Sequence, residues 1–283
     1  GLVGLVVPEL QNPVFPLFAQ VIEDALARRR YTPVLCTQSP GGISEDEYVE
    51  SLLDHGVAGI VFVSGKHADS TADHQRYHSL LARGMPCVFV NGYAEGLAAP
   101  FVSCDDAAAM DLAVGHLAQL GHSRIGLAIG PSRFVPSARK REGFVAALMR
   151  VFNLSEADAT EWIEEGLFTV EGGAAATRSL LARGATAVVC GSDVMALGAV
   201  REVREKGLEV PRDVSVVGFD DSPLIQYLDP PLTTIRQPAT AMGAAAVAAI
   251  GDAIEGQPVP AHEYVFTPEL VLRSSTGPAP SRG

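Results

Sequence analysis

Polar and charged side chains follow each short apolar run of this sequence, at the point where a strand would end. They are Glu9, Gln11, Asn12, Ser64, Lys66 and Asn91 in the first half, and Ser132, Arg133, Ser192, Asp193, Asp220, Asp221 and Ser222 in the second. In open α/β sheets, ligands bind beyond the carboxyl ends of the strands. Carboxylates, amides and an arginine gathered there can hydrogen-bond a small polyhydroxylated molecule. Each residue alone is also typical of turns and helix caps, so only the whole set predicts a binding site on two facing rims.

Patterns typical of catalysis or metal binding do not occur. The sequence contains no G-x-x-x-x-G-K-[ST], G-x-G-x-x-G, G-x-S-x-G or H-E-x-x-H. His74 and His78 can share one face of a helix, and a solvated face is the favoured interpretation. Asp220 and Asp221 are adjacent, so on an extended segment they point in opposite directions. We therefore expect no enzyme, no cofactor and no metal site.

The apolar runs alternate with segments of helical period, which predicts parallel strands joined by helices. Leu2–Val7 and Ile125–Ile129 are typical strand runs, and the Ala-rich segment 239–255 is typical of a helix. The pattern restarts after residue 103, which indicates two successive α/β halves. A third portion near the end is too short for a domain, so we expect it to complete both halves.

Composition and charge restrict the partners of this chain. The 283 residues include 21 basic and 33 acidic side chains, for a formal net charge of −12. Such a charge argues against direct contact with nucleic acid or an anionic membrane. The longest low-charge stretch, 239–251, is shorter than the ~20 residues of a membrane span. Four separate cysteines are typical of reduced thiols, and no secretory signal is visible, so we expect a cytoplasmic protein.

Several motifs along the sequence form a recognisable set. The most specific are P-R-D-V-S-V-V-G-F-D-D at 211–221 and L-D-P-P-L-T-T-I-R-Q-P at 228–238. Supporting motifs occupy 8–13, 120–125, 191–198 and 268–276. In their order and spacing, these motifs resemble the LacI (lactose/purine repressor) family of bacterial transcription regulators. The family's helix-turn-helix headpiece and hinge helix have no counterpart at the start. The sequence therefore resembles the effector-binding and dimerisation core alone.

The resemblance implies an α/β fold of two Rossmann-like subdomains joined by three crossovers, like a type I periplasmic binding protein. The expected N-terminal subdomain is 1–103 plus 236–262. The expected C-terminal subdomain is 104–235 plus 263–276. Residues 277–283 are rich in Pro, Ser and Gly and are expected to form a flexible tail.

The resemblance also implies contacts with the effector. Asp220 corresponds to the family's acidic contact, and Phe168 to an aromatic side chain that stacks on the effector. Arg139 corresponds to the arginine donor. Arg141 is an alternative, because the spacing to Gly143 is one residue shorter than in the lactose repressor.

Further residues of the implied site are less specific. Ser192 occupies a position that usually holds Asn. Asp193 is either an effector contact or the cap of the following helix. The implied cleft is completed by Asn91 and Gln237, with Asn12 and Phe15 along its lower edge, although Phe15 is also consistent with a core position.

The implied function is ligand-gated control of transcription. A mono- or disaccharide would bridge both lobes and alter operator binding by the headpiece, in a homodimer joined near Asp193 and Tyr227–Leu228. The same site residues also suit purines, and Lys66 or Arg133 would admit a phosphate. The alternatives are a periplasmic sugar-binding protein of an ABC transporter and an enzyme on the same scaffold.

Overall fold

The computed structural model describes residues 1–39 and 41–281. The strands are β1 (Leu2–Val7), β2 (Thr32–Thr37), β3 (Gly59–Val63), β4 (Cys87–Val90), β5 (Phe101–Cys104), β6 (Ile125–Ile129), β7 (Ile163–Glu165), β8 (Ala187–Cys190), β9 (Ser215–Asp220), β10 (Thr233–Arg236), β11 (Glu263–Phe266) and β12 (Glu269–Val271). The α-helices are α1 (Val14–Arg28), α2 (Glu45–Asp54), α3 (Gln75–Ala82), α4 (Asp106–Gln119), α5 (Val135–Phe152), α6 (Glu156–Thr160), α7 (Val170–Ala182), α8 (Asp193–Glu205) and α9 (Ala239–Ile254). Two 3₁₀ turns span Lys66–Ala68 and Ile225–Tyr227.

The chain divides into two compact units, each built from two separate segments. The first unit contains Gly1–Cys104 and Pro238–Phe266, and the second contains Asp105–Gln237 and the residues from Thr267 onwards. The chain therefore passes between the units three times. The prediction of two α/β subdomains with three crossovers is confirmed.

The first unit has a parallel sheet in the order β11-β5-β4-β3-β1-β2. Its central strands are apolar throughout because helices cover both faces. Phe62 and Phe89 stack with ring centroids 5.3 Å apart, and Tyr77 from α3 meets Phe62 edge-on at 5.1 Å. These rings form the centre of the core on that face of the sheet.

The second unit repeats this architecture in the order β12-β10-β9-β8-β6-β7. Every pair is parallel except β12, which runs antiparallel to β10. Helices α7 and α8 cross closely because Gly198 lies at the contact. A Cβ atom there would lie 1.9 Å from the carbonyl oxygen of Val170, so no larger residue fits.

The unit boundaries differ from the expected ones at all three crossovers. Cys104, which was expected to open the C-terminal subdomain, ends β5 and lies in the first unit. Glu263–Phe266 pairs with β5 and lies in the first unit, whereas 263–276 was expected to belong wholly to the C-terminal subdomain. Arg236 and Gln237 lie in the second unit, because β10 pairs with β9 up to Arg236.

The expected flexible tail is partly held in place. The Gly277 amide donates to Ser215 Oγ at 3.0 Å, and the Ala279 amide donates to the Leu120 carbonyl at 2.9 Å. His122, which is buried, also hydrogen-bonds the Gly277 carbonyl at 2.9 Å. These contacts order 277–279 against the second unit, and residues 282 and 283 lie outside the described residues.

Among the described residues, no helix combines the length and the apolar character needed to cross a bilayer.

Candidate functional site

Strand β9 ends at Asp220, and the next residue, Asp221, has different hydrogen-bond partners. Asp220 has φ 118° and Asp221 has φ 57°, both in the region that L-residues rarely adopt. Asp220 is 6% exposed and accepts a hydrogen bond from Gln237 Nε2 at 2.8 Å. Asp221 instead binds Arg236 and Arg273, each at 2.7 Å. The strained backbone thus places one acid with a neutral amide and the other between two arginines.

The buried side chain of Asp193 hydrogen-bonds two neighbouring segments of the second unit. Its Oδ2 accepts from the Ser222 amide at 2.7 Å, and its Oδ1 accepts from Thr234 Oγ1 at 2.8 Å. Burial, the largest effect, raises the pKa of this carboxyl to about 6. The cap of α8 is Ser192, whose Oγ accepts from the Met195 amide at 3.1 Å, so the alternative role of Asp193 as the cap is wrong.

A buried ion pair joins α4 and α5, and neither of its residues is among the predicted site residues. Lys140 Nζ lies 2.8 Å from Asp106 Oδ1, and each side chain is 7% exposed. The same ammonium lies 4.0 Å from the centroid of the Phe219 ring, one residue before Asp220. Burial raises the pKa of Asp106, and the charges of Lys140 and, more weakly, Arg139 oppose that rise.

The spacing of residues along α5 could have predicted that Lys140 is buried. Gly143 and Phe144 are buried, and they follow Lys140 by three and four residues. Lys140 therefore lies on the inward face of the helix, whereas Arg139 and Arg141 are only half-buried.

Asp220 is buried close to two other carboxyl groups. Burial raises its pKa well above the ordinary value, and the carboxylates of Asp193 and Asp106 add to that rise. The Gln237 hydrogen bond and the Lys140 charge act in the opposite direction. The surroundings disfavour an additional negative charge, and hydrogen bonds donated to the Asp220 carboxylate would favour its charged form and oppose the rise in its pKa.

An aromatic pair lies near the carboxyl ends of β6 and β7. The Phe168 ring meets Phe134 edge-on with centroids 5.6 Å apart, and Arg133 lies 4.7 Å from the Phe134 centroid. Phe168 packs directly on Gly130, where a Cβ atom would lie 2.1 Å from its Cε1. The ring remains 37% exposed, so part of it is available for stacking against a ligand.

The remaining predicted residues belong to the first unit. Asn12 is 9% exposed, and its Oδ1 accepts from the Val14 amide at 3.3 Å, at the start of α1. Phe15 is half-buried in the first turn of that helix. Asn91 follows β4 with φ 58°. All three lie at the carboxyl ends of strands in the first sheet.

A second buried polar network connects loops of the first unit. Glu45, at the start of α2, accepts from the Tyr77 hydroxyl and from the Lys66 amide. The Tyr77 oxygen accepts from the His67 amide at 2.9 Å, and His67 Nδ1 hydrogen-bonds the Gly92 carbonyl at 2.8 Å. Burial lowers the pKa of His67 to about 4, so the ring is neutral near pH 7. The network ties together the loops that follow β2, β3 and β4.

The outer face of α8 forms one side of a groove of about 440 Å³ that has both apolar and charged lining residues. The apolar ones are Ala196, Leu197, Val200, Leu228, Pro230 and Leu232, and the charged ones are Arg201, Arg204, Glu205 and Asp229. Beside it, Leu224 and Tyr227 are 68% and 77% exposed. Within the described ranges, no cluster of His, Cys, Asp and Glu is suited to hold a metal ion.

Comparisons with known proteins agree with this architecture. Residues 114–276 match the model of the periplasmic binding protein-like domain, which defines the class of protein. The chain is 59% identical over 281 residues to the HTH-type transcriptional regulator MalR of Streptomyces coelicolor, covering 99% of this chain and 82% of the relative. It is 32% identical over 279 residues to the HTH-type transcriptional repressor CytR of Escherichia coli, covering 98% and 79%.

Solved structures show the same similarity. A LacI transcriptional regulator from a Rhodococcus species superposes with a TM-score of 0.87 at 32% identity, covering 99% of this chain and 100% of that one. The transcriptional regulator CelR in complex with cellobiose gives 0.83 at 30% identity, covering 97% and 84%. A LacI family regulator from Enterococcus faecium with bound ribose gives 0.84 at 28% identity, covering 98% and 99%. The chain belongs to the LacI family of transcriptional regulators and is an effector-binding core rather than a receptor of an ABC transporter.

Proposed function

We propose that this core binds a mono- or disaccharide and that Asp220 accepts hydrogen bonds from its hydroxyl groups. The observation that carries the proposal is the buried Asp220–Gln237 pair at the carboxyl edge of the second sheet. A strained φ of 118° holds this carboxylate in place, a cost that functional sites commonly retain. The similar regulators with bound cellobiose and ribose support a sugar as the effector.

The proposed effector residues act in different ways. Phe168 offers a partly exposed ring for stacking on a sugar face. Arg139 supplies a donor beside the Lys140–Asp106 pair, and Asp220 and Gln237 supply acceptors. Ser192 and Asp193, at the start of α8, are also proposed as effector contacts, and their hydrogen bonds to Met195, Ser222 and Thr234 hold that end of the helix in place. Asn12, Phe15 and Asn91 contribute from the carboxyl edge of the first sheet.

Effector binding would control DNA binding by population shift. A ligand shifts an equilibrium between two conformations only by its difference in affinity for them, typically about 1–3 kcal/mol. The sugar would be released unaltered, so no enzymatic step is proposed. Because its DNA partner lies in the cytoplasm of a bacterium, we place the protein there.

Replacing Asp220 tests the site directly. D220A and the size-matched D220N should lose the rise in Tm that cellobiose or ribose produces in the unaltered protein. Hydrogen bonds to a charged group contribute about 1.5–3 kcal/mol, so titration calorimetry should show affinity falling at least about tenfold. D158A, at an exposed position in the same unit, is the matched control. Unchanged affinity in both Asp220 variants would refute the assignment.

We also propose a homodimer that buries the groove beside α8. Apolar side chains as exposed as Leu224 and Tyr227 are typical of an interaction surface when they flank a groove. Two-fold symmetric dimers are the commonest assembly of soluble proteins. Light scattering after size exclusion should give a dimer for the unaltered chain and a monomer for Y227D. L272D, at a position 62% exposed elsewhere in the same unit, should stay dimeric. A dimeric Y227D would exclude this surface.

A further inference from the structure

His67 is a fully buried polar residue among the loops at the carboxyl edge of the first sheet. It lies in the 3₁₀ turn that follows β3, and its exposed fraction is 0%. Its ring packs on the Phe89 ring of β4 with centroids 5.0 Å apart. Burying a polar group costs free energy unless its hydrogen bonds are made, so the partners of the two ring nitrogens explain why a histidine is kept here.

Each ring nitrogen of His67 binds a different loop. Nδ1 lies 2.8 Å from the Gly92 carbonyl oxygen, and because a carbonyl only accepts, Nδ1 carries the proton. Nε2 accepts a hydrogen bond from the Gly65 amide at 3.2 Å. Both bonds are made by one neutral tautomer, and burial, which lowers the pKa of His67 to about 4, keeps the ring neutral near pH 7. The neutral ring therefore joins the loop after β3 to the loop after β4.

The backbone of His67 is anchored as well. Its amide donates to the Tyr77 hydroxyl at 2.9 Å, and that hydroxyl donates to the buried carboxylate of Glu45. The same carboxylate accepts from the Lys66 amide at 2.9 Å. Side chains from α2 and α3 thus hold the turn, and the position of the His67 ring is fixed from its own backbone outwards.

Asn91 is held by hydrogen bonds on both sides of its Cα atom. Its amide donates to the Val102 carbonyl at 2.9 Å, and the carbonyl of the next residue, Gly92, accepts from His67. Between these two bonds Asn91 has φ 58°, a conformation that Asn adopts more readily than most L-residues. Ala68 lies so close that a Cβ atom at Gly92 would be 2.5 Å from its Cβ. The bond from His67 therefore restricts the peptide that follows Asn91 and sets the direction of its side chain.

Resting on the proposed function, in which Asn91 contacts the sugar, we propose that His67 is a positioning residue: its neutral ring holds the Gly92 carbonyl and so keeps the Asn91 side chain directed at the effector. His67 is fully buried and acts only through Asn91. A side chain that is already in place loses less conformational freedom when the ligand binds, and this raises the affinity. A role in stability alone would change the free energy of unfolding and leave the contribution of Asn91 to binding as it is.

Two substitutions separate the roles of the two ring nitrogens. The side-chain amide of Asn reaches the place of Nδ1, so H67N keeps a donor for Gly92 and loses the acceptor for Gly65. The side-chain amide of Gln reaches the place of Nε2, so H67Q keeps the acceptor and loses the donor. Each is made in the unaltered chain and in N91G, which removes the Asn91 side chain and permits the same positive φ. H78Q, at an exposed position on α3, is the control.

Titration calorimetry with cellobiose and with ribose measures the effect on binding. For the sugar that binds the unaltered chain, H67Q should weaken binding about three- to tenfold, and H67N and H78Q by less than about twofold. In the N91G background, H67Q should change the affinity by less than about twofold, because no side chain is left to position. Urea unfolding should show similar losses of stability in H67N and H67Q, since each loses one buried hydrogen bond.

The alternatives give different results. An unchanged affinity in H67Q, equal weakening by H67N and H67Q, or the same weakening by H67Q with and without Asn91 would overturn the inference and leave the proposed function intact. N91G that binds the sugar as tightly as the unaltered chain would do the same. If H67Q does not fold, Y77F, which frees the His67 amide, takes its place and should weaken binding only when Asn91 is present. If neither sugar binds the unaltered chain, the proposed function itself fails, and the inference fails with it.

Discussion

Replacing Lys140 with methionine would test the electrostatics of the second unit. The substitution keeps a flexible apolar chain of similar length and removes only the charge. It leaves Asp106, whose side chain is 7% exposed, without its cation at 2.8 Å. Removing one partner of a buried ion pair costs about 3–5 kcal/mol, because the remaining charge has neither water nor a counter-ion. We expect K140M to lose about that much of its free energy of unfolding at pH 7.

The loss should depend on pH with a defined sign. Burial already raises the pKa of Asp106, and removing Lys140 lets it rise further. An acid whose pKa is higher in the folded protein destabilises it once ionised, so stability falls as pH rises through the folded pKa. K140M should therefore be closest to the unaltered protein in stability at acidic pH and furthest from it above neutral pH.

Urea unfolding followed by circular dichroism at pH 5.5 and pH 8 would measure both effects. The matched control is R150M, because Arg150 and Asp111 join the same two helices at 2.7 Å with side chains 59% and 48% exposed. An exposed pair contributes only about 0.2–1 kcal/mol. The double variant D106N/K140M should recover most of the loss, since no buried charge remains. A K140M protein as stable as R150M at pH 8 would refute the reasoning.

Three further predictions concern other buried groups. The pKa of Asp193 is raised from 3.8 to about 6, so the free energy of unfolding should fall as the pH rises between those values. In urea unfolding experiments, D193N should make this pH dependence weaker. An unchanged pH dependence would contradict the raised pKa of Asp193. Y77F removes the hydroxyl that donates to buried Glu45 and should lower the free energy of unfolding by about 1–3 kcal/mol. An unchanged free energy of unfolding would contradict a stabilising role of this hydrogen bond. G130A should push the Phe168 ring aside and weaken cellobiose binding about tenfold in calorimetry, while equal affinity would exclude stacking on that ring.

The strands of this fold could be predicted because buried parallel strands are apolar on both faces. Leu2–Val7 and Ile125–Ile129 coincide with β1 and β6. Short edge strands lack that pattern. β7 is three residues long and contains two glutamates, so it lies within a stretch that shows no clear period. Its position follows from pairing with β6, which is a long-range interaction.

The candidate site was only partly predictable, because burial of charge depends on distant partners. Glu45 lies in the acidic first turn of α2, between the capping-box residues Ser44 and Glu47, which is typical of an exposed helix start. It is buried because Tyr77, 32 residues away, packs over it. The family resemblance implied Arg139 as the hydrogen-bond donor to the effector, but the buried cation is its neighbour Lys140. Lysine side chains are usually exposed, so residue type alone would not predict this burial.

The two-segment composition of the first unit has a consequence for biosynthesis. Its parallel sheet needs β11, and α9 packs on α1, yet both follow the long segment Asp105–Gln237. A ribosome releases the chain from its N-terminus, and contiguous domains generally fold in that order. The first unit, although most of it is synthesised first, cannot complete its sheet before Glu263–Phe266 has emerged. Until then, the edge of β5 stays unpaired. The intervening half, which lacks only its closing strand β12 and the segment after it, has most of its sheet available earlier.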